Sequence, residues 1–169
     1  MKRIALVGMP NTGKSTFFNR VTGASARVGN WPGITVDLYA SKLLLGGDMV
    51  EIVDLPGIYD LHGFSDDERI VRHFLEDATV DLVAVVVNAA QVDRQLGLAL
   101  QLGQLGLPTA VLLNMADEAK QLGIRIDTAT LSRELGMSAA LLSAKHGHGM
   151  PEAMAMLTRA LAASQPVAP

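Results

Sequence analysis

The segment that most constrains the fold begins at Gly8 and follows the pattern G-x-x-x-x-G-K-[ST]. Its sequence is Gly8-Met9-Pro10-Asn11-Thr12-Gly13-Lys14-Ser15. The apolar run at 4–7 predicts a strand before it, and residues 14–22 predict a helix after it. In that context the glycines let successive backbone N–H groups point at one place, and the helix N-terminus adds partial positive charge. The segment therefore predicts a polyphosphate-binding loop inside an α/β fold.

Two side chains of this loop have expected roles in holding a nucleotide. The Lys14 ammonium would bridge the β- and γ-phosphates, and the Ser15 hydroxyl would be a ligand of Mg²⁺. A chance match of the four constrained positions in a chain of this length occurs about once in a hundred. We expect the nucleotide to contact Gly8, Pro10, Asn11, Thr12, Gly13, Lys14, Ser15 and Thr16.

Short apolar runs alternate with longer amphipathic segments, which predicts a six-stranded, mostly parallel sheet with helices on both faces. Buried strands are predicted at 4–7, 49–53, 82–87, 110–113 and 139–142. Residues 35–40 predict one antiparallel edge strand, joined to 49–53 through the Gly46-Gly47 turn. Helices are predicted at 14–22, 66–77, 92–105, 128–135 and 150–163, with Ser65 and Asp127 as N-caps.

The composition suits one domain and excludes several classes of protein. With 169 residues, 49% of them hydrophobic, the chain can bury one core, which we assign to residues 1–163. The net charge of −3 argues against a nucleic-acid binder, and the lack of cysteine excludes disulfides and thiolate metal sites. Residues 164–169 contain two prolines and predict a linker or tail.

No run of residues is long and apolar enough to cross a membrane. The most apolar stretch, at 82–87, has six residues, whereas a spanning helix needs about 20. The N-terminal segment lacks the longer apolar region and the cleavage site of a signal peptide. We therefore expect this chain to be soluble and cytoplasmic.

Three further motifs follow predicted strands. Asp54-Leu55-Pro56-Gly57 offers a carboxylate that can hold Mg²⁺ through water and a glycine N–H that can contact a γ-phosphate. Asn114-Met115-Ala116-Asp117 offers a carboxylate that can accept two N–H bonds from a guanine edge, which adenine lacks. Ser143-Ala144-Lys145 offers a backbone N–H for the guanine oxygen. Because these motifs lie at the carboxyl ends of strands, they should surround one crevice that binds GTP or GDP.

In this order the motifs resemble the Ras-like (TRAFAC-class) family of P-loop GTPases, and the resemblance covers residues 1 to about 163. It implies a Ras-like G-domain fold. Met115 departs from the lysine usual at that position in the family, whose stem packs along the base and the phosphate loop. We therefore expect weak nucleotide retention, and GDP release slower than minutes would contradict this.

One segment narrows the resemblance to a single family. Val28-Gly29-Asn30-Trp31-Pro32-Gly33-Ile34-Thr35-Val36, which holds the only Trp of the chain, resembles the first switch of the ferrous iron transport protein B (FeoB) family. Four further segments match the same family: Asp54-Leu55-Pro56-Gly57-Ile58-Tyr59, Ser65-Asp66-Asp67-Glu68, Asn114-Met115-Ala116-Asp117-Glu118-Ala119 and Gly123-Ile124-Arg125-Ile126-Asp127.

The resemblance implies a larger protein than this chain. Members of the family have an N-terminal cytoplasmic GTPase domain, then a helical domain, then a polytopic inner-membrane region that moves Fe²⁺. The implied partners are the protein's own helical and transmembrane domains, at the cytoplasmic face of the bacterial inner membrane, and no nucleic acid. A homo-oligomer and small accessory transport proteins are left open. How hydrolysis gates iron does not follow from the sequence.

The resemblance also implies a nucleotide switch. Thr35 would reach Mg²⁺ and the γ-phosphate only in the GTP state, where Ser15, Thr35 and Asp54 would hold the ion. Loss of the γ-phosphate would release Thr35 and Gly57. Many GTPases have a water-orienting Gln at position 58, and here it is Ile58. Either this residue is an altered core contact, or hydrolysis draws its charge stabilisation from elsewhere.

Asn11 is the candidate for that charge stabilisation. In similar GTPases that potassium activates, an Asn at this position binds K⁺ together with backbone carbonyls of the first switch, which Gly29 and Trp31 would supply here. The alternative is that Asn11 only braces the switch by hydrogen bonds. We expect slow intrinsic hydrolysis, carried by the catalytic set Asn11, Lys14, Thr35 and Gly57.

Two other functions stay open at this point. GTPases of ribosome assembly or tRNA modification share the Asn-bearing loop, but they need an RNA-binding attachment or a basic surface. A pure signalling switch has no reason to carry the Trp31 segment. His146 and His148 suggest a metal site, although a loop beside the base is the simpler interpretation.

Overall fold

The computed structural model describes residues 1–164, except for the side chain of Ala24. Within that range the strands are β1 Lys2–Gly8, β2 Arg27–Gly29, β3 Leu38–Leu45, β4 Asp48–Asp54, β5 Leu82–Asn88, β6 Thr109–Asn114 and β7 Ser138–Leu141. The α-helices are α1 Lys14–Thr22, α2 Asp66–Asp77, α3 Val92–Gln104, α4 Ala116–Gln121, α5 Thr128–Leu135 and α6 Met150–Ala163.

The strands form one sheet in the order β2-β3-β4-β1-β5-β6-β7. β1 pairs in parallel with both β4 and β5, and β6 and β7 extend the parallel part. β3 is antiparallel to both of its neighbours. After β1 the chain builds β2, β3 and β4 on one side of that strand and then β5, β6 and β7 on its other side. The strand order therefore reverses at β1, and the carboxyl end of β1 is the topological switch point where ligands bind in such sheets. The predicted α/β class is confirmed.

The number of strands and the position of the antiparallel strand differ from the prediction. The sheet has seven strands within residues 1–164, and the edge is the short β2. The antiparallel strand covers Leu38–Leu45, whereas residues 35–37 lie in a loop. The β-branched pair Thr35-Val36 suggested a strand there. The predicted Gly46-Gly47 turn is present, and both glycines have positive φ.

Alternation along the strands divides the core between the two faces of the sheet. On β1, Ala5 and Val7 face the layer of α2, α3, α4 and α5, while Ile4 and Leu6 face α1 and α6. All four side chains are at most 1% exposed. Because both faces are covered, the central strands β5 and β6 are nearly continuous apolar runs rather than alternating with polar residues. The carboxyl ends of the strands remain for polar chemistry.

Two of the helix starts form as the sequence predicts. The Ser65 hydroxyl accepts a hydrogen bond from the N–H of Glu68 at 3.3 Å, and the Asp127 carboxylate accepts one from Thr130 at 3.1 Å. The six-residue α4 was not predicted, because it is too short to show helical periodicity. It begins inside the Asn114-Met115-Ala116-Asp117 motif, so its position decides where that motif points.

Two expectations concern regions outside this core. The predicted linker at 164–169 lies outside the described residues, apart from Ser164. Among the helices of residues 1–164, none combines the length and the hydropathy that crossing a bilayer would require.

Candidate nucleotide site

The loop between β1 and α1 has the backbone shape that a phosphate cradle requires. Gly13 has a φ of 81° as the residue that precedes α1, and Asn11 has a φ of 65° although it carries a side chain. A Cβ on Gly13 would collide with the amide nitrogen of Asn114, so only glycine suits this position. A Cβ on Gly8 would lie 2.8 Å from the carbonyl oxygen of Val86. Close packing therefore requires glycine at both positions, and at Gly13 the positive φ requires it as well.

The basic and acidic side chains predicted to hold phosphate and Mg²⁺ are adjacent. Lys14 Nζ contacts Asp54 Oδ1, and the two side chains are only 10% and 13% exposed. Asp54 is the last residue of β4, which lies beside β1 in the sheet. Ser15 and Thr16 are exposed in the first turn of α1. This largely buried ion pair and the two hydroxyls lie at the carboxyl end of β1 and β4.

Gly57 follows β4 and lies against the phosphate loop. A Cβ on Gly57 would be 3.2 Å from the backbone nitrogen of Pro10, so the two predicted phosphate-contacting segments touch. The next residue, Ile58, donates its N–H to the Gly8 carbonyl at 3.0 Å, and its side chain is 1% exposed. The aliphatic side chain thus belongs to the core, which favours the altered-core interpretation of this position.

Asn114 joins three motifs that are distant in the sequence. Its side-chain amide donates to the Thr12 carbonyl at 2.9 Å, and its side-chain oxygen accepts from the Ala144 N–H at 2.9 Å. The residue is 3% exposed. Because both ends of one buried amide are satisfied in this way, the phosphate loop, the end of β6 and the Ser143-Ala144-Lys145 segment are held in one arrangement. A guanine oxygen would have to share the Ala144 donor with Asn114.

Met115 lies where the prediction expected the stem of a lysine. It has a φ of 63° and precedes α4. Its methyl group lies 3.5 Å from the place that a Cβ of Gly13 would take. A thioether therefore covers the phosphate loop, and the ammonium group of the usual lysine is missing.

Asp117 is in the first turn of α4 and is held in its ionised form. Burial opposes ionisation, but the nearby Ser143 hydroxyl, the N–H groups of Asp117 and Glu118, and His146 together lower the pKa of the Asp117 carboxyl. The Ser143 hydroxyl is itself buried and has no hydrogen-bond partner of normal geometry among the described residues. The hydroxyl therefore lowers the pKa of Asp117 because it lies close to the carboxylate, without a hydrogen bond of normal geometry. The side chain of Asp117 is 32% exposed, so its oxygens are accessible to a ligand.

Trp31, which was predicted to contribute a carbonyl beside Asn11, packs with its ring on α2 and β1. The Trp31 ring packs edge-on against Phe74 of α2 with a centroid distance of 4.9 Å, and the Arg3 guanidinium lies 4.8 Å from the ring centroid. Arg3 is five residues before Gly8 on β1, which corresponds to about 16 Å of strand. The Trp31 ring is therefore directed toward the start of β1, whereas Gly29 pairs with Leu38 near the carboxyl end of the sheet.

The neighbouring residues of the segment lie along α2. The Ile34 N–H donates to the Trp31 carbonyl at 3.1 Å and closes a turn in which Gly33 has a φ of 75°. A Cβ on Gly33 would collide with the imidazole of His73 on α2. Thr35 lines a surface cleft beside α2. The α2 residues that line this cleft with Thr35 include Asp66 and Arg69 of the first turn and His73 farther along the helix.

One structural role was missed by the sequence analysis. Arg20, in the last turn of α1, donates from Nε to the carbonyl of Ala144 and from its terminal nitrogen to the carbonyl of Lys145 at 3.0 Å. No local signal marks this residue, because its partners are more than 120 positions later in the chain. No cluster of three or more His, Cys, Asp or Glu side chains able to hold a metal occurs in residues 1–164.

Comparison with known proteins identifies the family. The family model described as "Ferrous iron transport protein B" matches residues 2–157. The chain belongs to the FeoB family. The resemblance based on the switch segment and on the four further motifs is thereby confirmed.

FeoB relatives match this chain in sequence and in structure. The Fe(2+) transporter FeoB of Synechocystis is 56% identical over 160 residues, which are 95% of this chain and 26% of that protein. A mutant of S. thermophilus NFeoB bound to GDP superposes with a TM-score of 0.88 at 35% identity, covering 98% of this chain and 65% of that one. The GMPPNP form of the cytosolic domain of T. maritima FeoB has a TM-score of 0.88 at 33% identity over the same shares. This chain thus spans about a quarter of the length of the Synechocystis FeoB relative.

Proposed function

We propose that this chain binds GTP and GDP with Mg²⁺ and hydrolyses GTP. The observation that carries the proposal is the double hydrogen bond of Asn114, which joins the phosphate loop to the base-reading segments. Lys14 and the loop amides would hold the phosphates, and Asp117 would accept two N–H bonds from guanine. The S. thermophilus relative bound to GDP and the GMPPNP form of the T. maritima relative support the same ligand class.

The donor set at the end of β4 suits Mg²⁺. The Ser15 hydroxyl and the Asp54 carboxylate offer the oxygen ligands that this ion prefers, and both adjoin the phosphate loop. When bound, Mg²⁺ neutralises charge on the phosphates. The chain's own part is to separate Lys14 from Asp54, so that the ammonium turns to the phosphates and the carboxylate to the ion.

Isothermal titration calorimetry tests the proposed ligand. With Mg²⁺ present, GDP should bind, whereas ADP should bind at least about a hundredfold more weakly, because adenine leaves the Asp117 oxygens unpaired. No heat with GDP, or equal affinity for the two nucleotides, would refute the proposal.

We further propose that the chain is the cytoplasmic GTPase domain of a longer Fe²⁺ transporter, followed by helical and membrane regions. The family match and the short share of its relatives' length support this function over ribosome assembly or general signalling. Nucleotide-dependent movement of the switch loops would regulate iron passage in the whole protein.

The contacts of Trp31 would hold the first-switch segment on α2 when no γ-phosphate is bound. The aromatic pair of Trp31 with Phe74 and its contact with Arg3 together stabilise the packing of the first-switch segment on α2 and β1 by about 1–2 kcal/mol. Contacts of Thr35 with Mg²⁺ and the γ-phosphate would have to exceed that amount. A free-energy difference of this size is small enough that the contacts of one phosphate group can reverse the preferred position of the first-switch segment.

Trp31 fluorescence should therefore report the switch. Since Trp31 is the only Trp, adding Mg²⁺ and GMPPNP should shift the emission to longer wavelength and increase quenching by acrylamide, whereas GDP should leave both unchanged. In Thr35→Ala, GMPPNP should bind without the shift. Identical spectra with GDP and GMPPNP in the unmodified chain would contradict the proposed movement.

We also propose that K⁺ activates hydrolysis through Asn11. The residue is exposed and has a positive φ, so its side chain is presented outside the loop. The Trp31 carbonyl would join it once the Trp31 ring has left α2, and the Gly29 carbonyl would come from the end of β2. When bound there, K⁺ would offset the charge that develops between the β- and γ-phosphates.

GTP turnover in KCl should exceed turnover in NaCl by about ten- to a hundredfold at equal ionic strength. Asn11→Ala should lose that stimulation and keep its GDP affinity within about threefold. Asn19→Ala, which changes an exposed asparagine on α1, is the matched control and should respond to K⁺ as the unmodified chain does. Equal rates in the two salts would remove the cation from the mechanism.

A further inference from the structure

The loop that follows the Ser143-Ala144-Lys145 segment is a closed turn. The Ser143 N–H donates to the His148 carbonyl at 2.8 Å, and the His148 N–H donates to the Ser143 carbonyl at 3.1 Å. Gly147 and Gly149 have φ values of 76° and 72°, which let the chain reverse within a few residues. The turn therefore has a defined shape rather than a free loop's range of conformations.

Two further residues, Arg20 and Asn114, hold this turn against the nucleotide site by hydrogen bonds. Arg20 donates to the Ala144 and Lys145 carbonyls, and Asn114 accepts from the Ala144 N–H. A Cβ on Gly147 would lie 3.1 Å from the Arg20 guanidinium, so the turn also packs closely on α1. Contacts on both sides thus fix the direction in which the side chain of His146 leaves the turn.

The imidazole of His146 therefore contacts Asp117, the residue that would bind the guanine edge. Nε2 of His146 lies 3.2 Å from Oδ2 of Asp117. The imidazole is 47% exposed and the carboxylate 32% exposed, so protons and a ligand can both reach the pair. The ring of His148 lies 5.9 Å away from that of His146, measured between centroids.

We propose that protonated His146 competes with guanine for the Asp117 carboxylate, so that nucleotide binding at this site is coupled to release of a proton from His146. The inference rests on the proposed binding of guanine nucleotides. In the cationic form, Nε2–H donates to Oδ2, which is one of the two oxygens that guanine needs. Guanine and the proton on His146 therefore oppose each other, and linkage requires that each weakens the binding of the other.

The charged groups around the pair support this direction of coupling. Asp117 faces the turn from α4, Arg20 faces it from α1, and Lys145 and His148 belong to the turn itself. Asp117 stays ionised over the range in which histidines titrate, since the pKa of its carboxyl is lowered. The charge of the carboxylate at this contact is therefore constant between pH 8 and about pH 5.5.

The test compares GDP affinity at pH 8 and at about pH 5.5 in the unmodified chain and in His146→Gln, with Mg²⁺ and ionic strength held constant. Glutamine can still donate to Asp117 but does not titrate. The terminal phosphate of GDP itself protonates near pH 6, and this effect is common to all variants. We expect the unmodified chain to lose about two- to fivefold more affinity than His146→Gln over this range, as suits a half-exposed charge pair.

His148→Gln is the matched control, because it removes a neighbouring imidazole that has no contact with Asp117 among those described. It should keep the pH dependence of the unmodified chain. The same pH dependence in the unmodified chain and His146→Gln, or loss of it in His148→Gln, would overturn the inference while GDP still binds. Absence of GDP binding at pH 8 would instead refute the proposed function, and the inference with it.

Discussion

Replacing Asn114 with alanine should lower GDP affinity by at least about a hundredfold. The substitution leaves the Thr12 carbonyl and the Ala144 N–H without their buried partner. Each unsatisfied group costs about 1–3 kcal/mol, so the free energy of unfolding should fall by about 2–4 kcal/mol as well. Calorimetry measures the affinity, and urea unfolding monitored by circular dichroism measures the stability.

A matched asparagine separates the loss of binding from the loss of stability. Asn88 ends β5, lies opposite Asn114 in the sheet register and is 8% exposed. Its side-chain oxygen accepts from the Ala90 N–H at 2.9 Å, a contact within its own turn. Asn88→Ala should therefore cost about 1–2 kcal/mol of stability and keep GDP affinity within about threefold.

The conservative variant Asn114→Asp distinguishes the two hydrogen bonds. It keeps an acceptor for Ala144 but presents an oxygen to the Thr12 carbonyl, so the attachment of the phosphate loop should fail and affinity should fall with it. If Asn114→Ala folds and binds GDP as tightly as Asn88→Ala, the proposed junction is not what holds the site together.

Replacing Asp117 with asparagine should lower GDP affinity by about two to three orders of magnitude. Guanine presents two donors to this position, and asparagine can accept only one of them while its own N–H₂ faces the other. Xanthine has a carbonyl in place of the guanine amino group, so Asp117→Asn should bind xanthosine diphosphate more tightly than GDP. A competition assay with a fluorescent nucleotide measures both affinities.

The neighbouring carboxylate provides the control. Glu118 is exposed in the same first turn of α4 and carries the same charge near the helix N-terminus. Glu118→Gln should change GDP affinity by less than about twofold, because it alters only a screened charge. Equal losses in Asp117→Asn and Glu118→Gln would mean that charge alone, and not pairing with the base, holds the nucleotide.

Several features of this protein could be predicted from contiguous residues. The phosphate loop, the helix caps at Ser65 and Asp127, and the alternation of strands and helices are each encoded within a few neighbouring positions. The family assignment also followed from short motifs, and the family model confirms it. Such signals are local because a turn or a cap needs only certain φ values and one nearby hydrogen bond.

Other features appeared only in the tertiary structure. The sequence predicted an edge strand at 35–40, whereas only residues 38–40 lie in a strand, the chain turns at Gly33 against α2, and β2 pairs outside β3. The β-propensity of Thr35-Val36 is weaker than the combined contacts of the segment with α2 and β1. Propensity within one segment cannot reveal which distant surface that segment will pack against.

The amino-acid sequence by itself therefore determined the family, the class of fold and the set of residues at the carboxyl ends of the strands. The tertiary structure alone decided that Trp31 packs between Arg3 and Phe74, that Arg20 fastens the last loop, and that His146 meets Asp117. These contacts join residues that are far apart in the chain, and each has an energy of about 1 kcal/mol. Only the folded backbone, which brings those residues within a few ångströms, can select them.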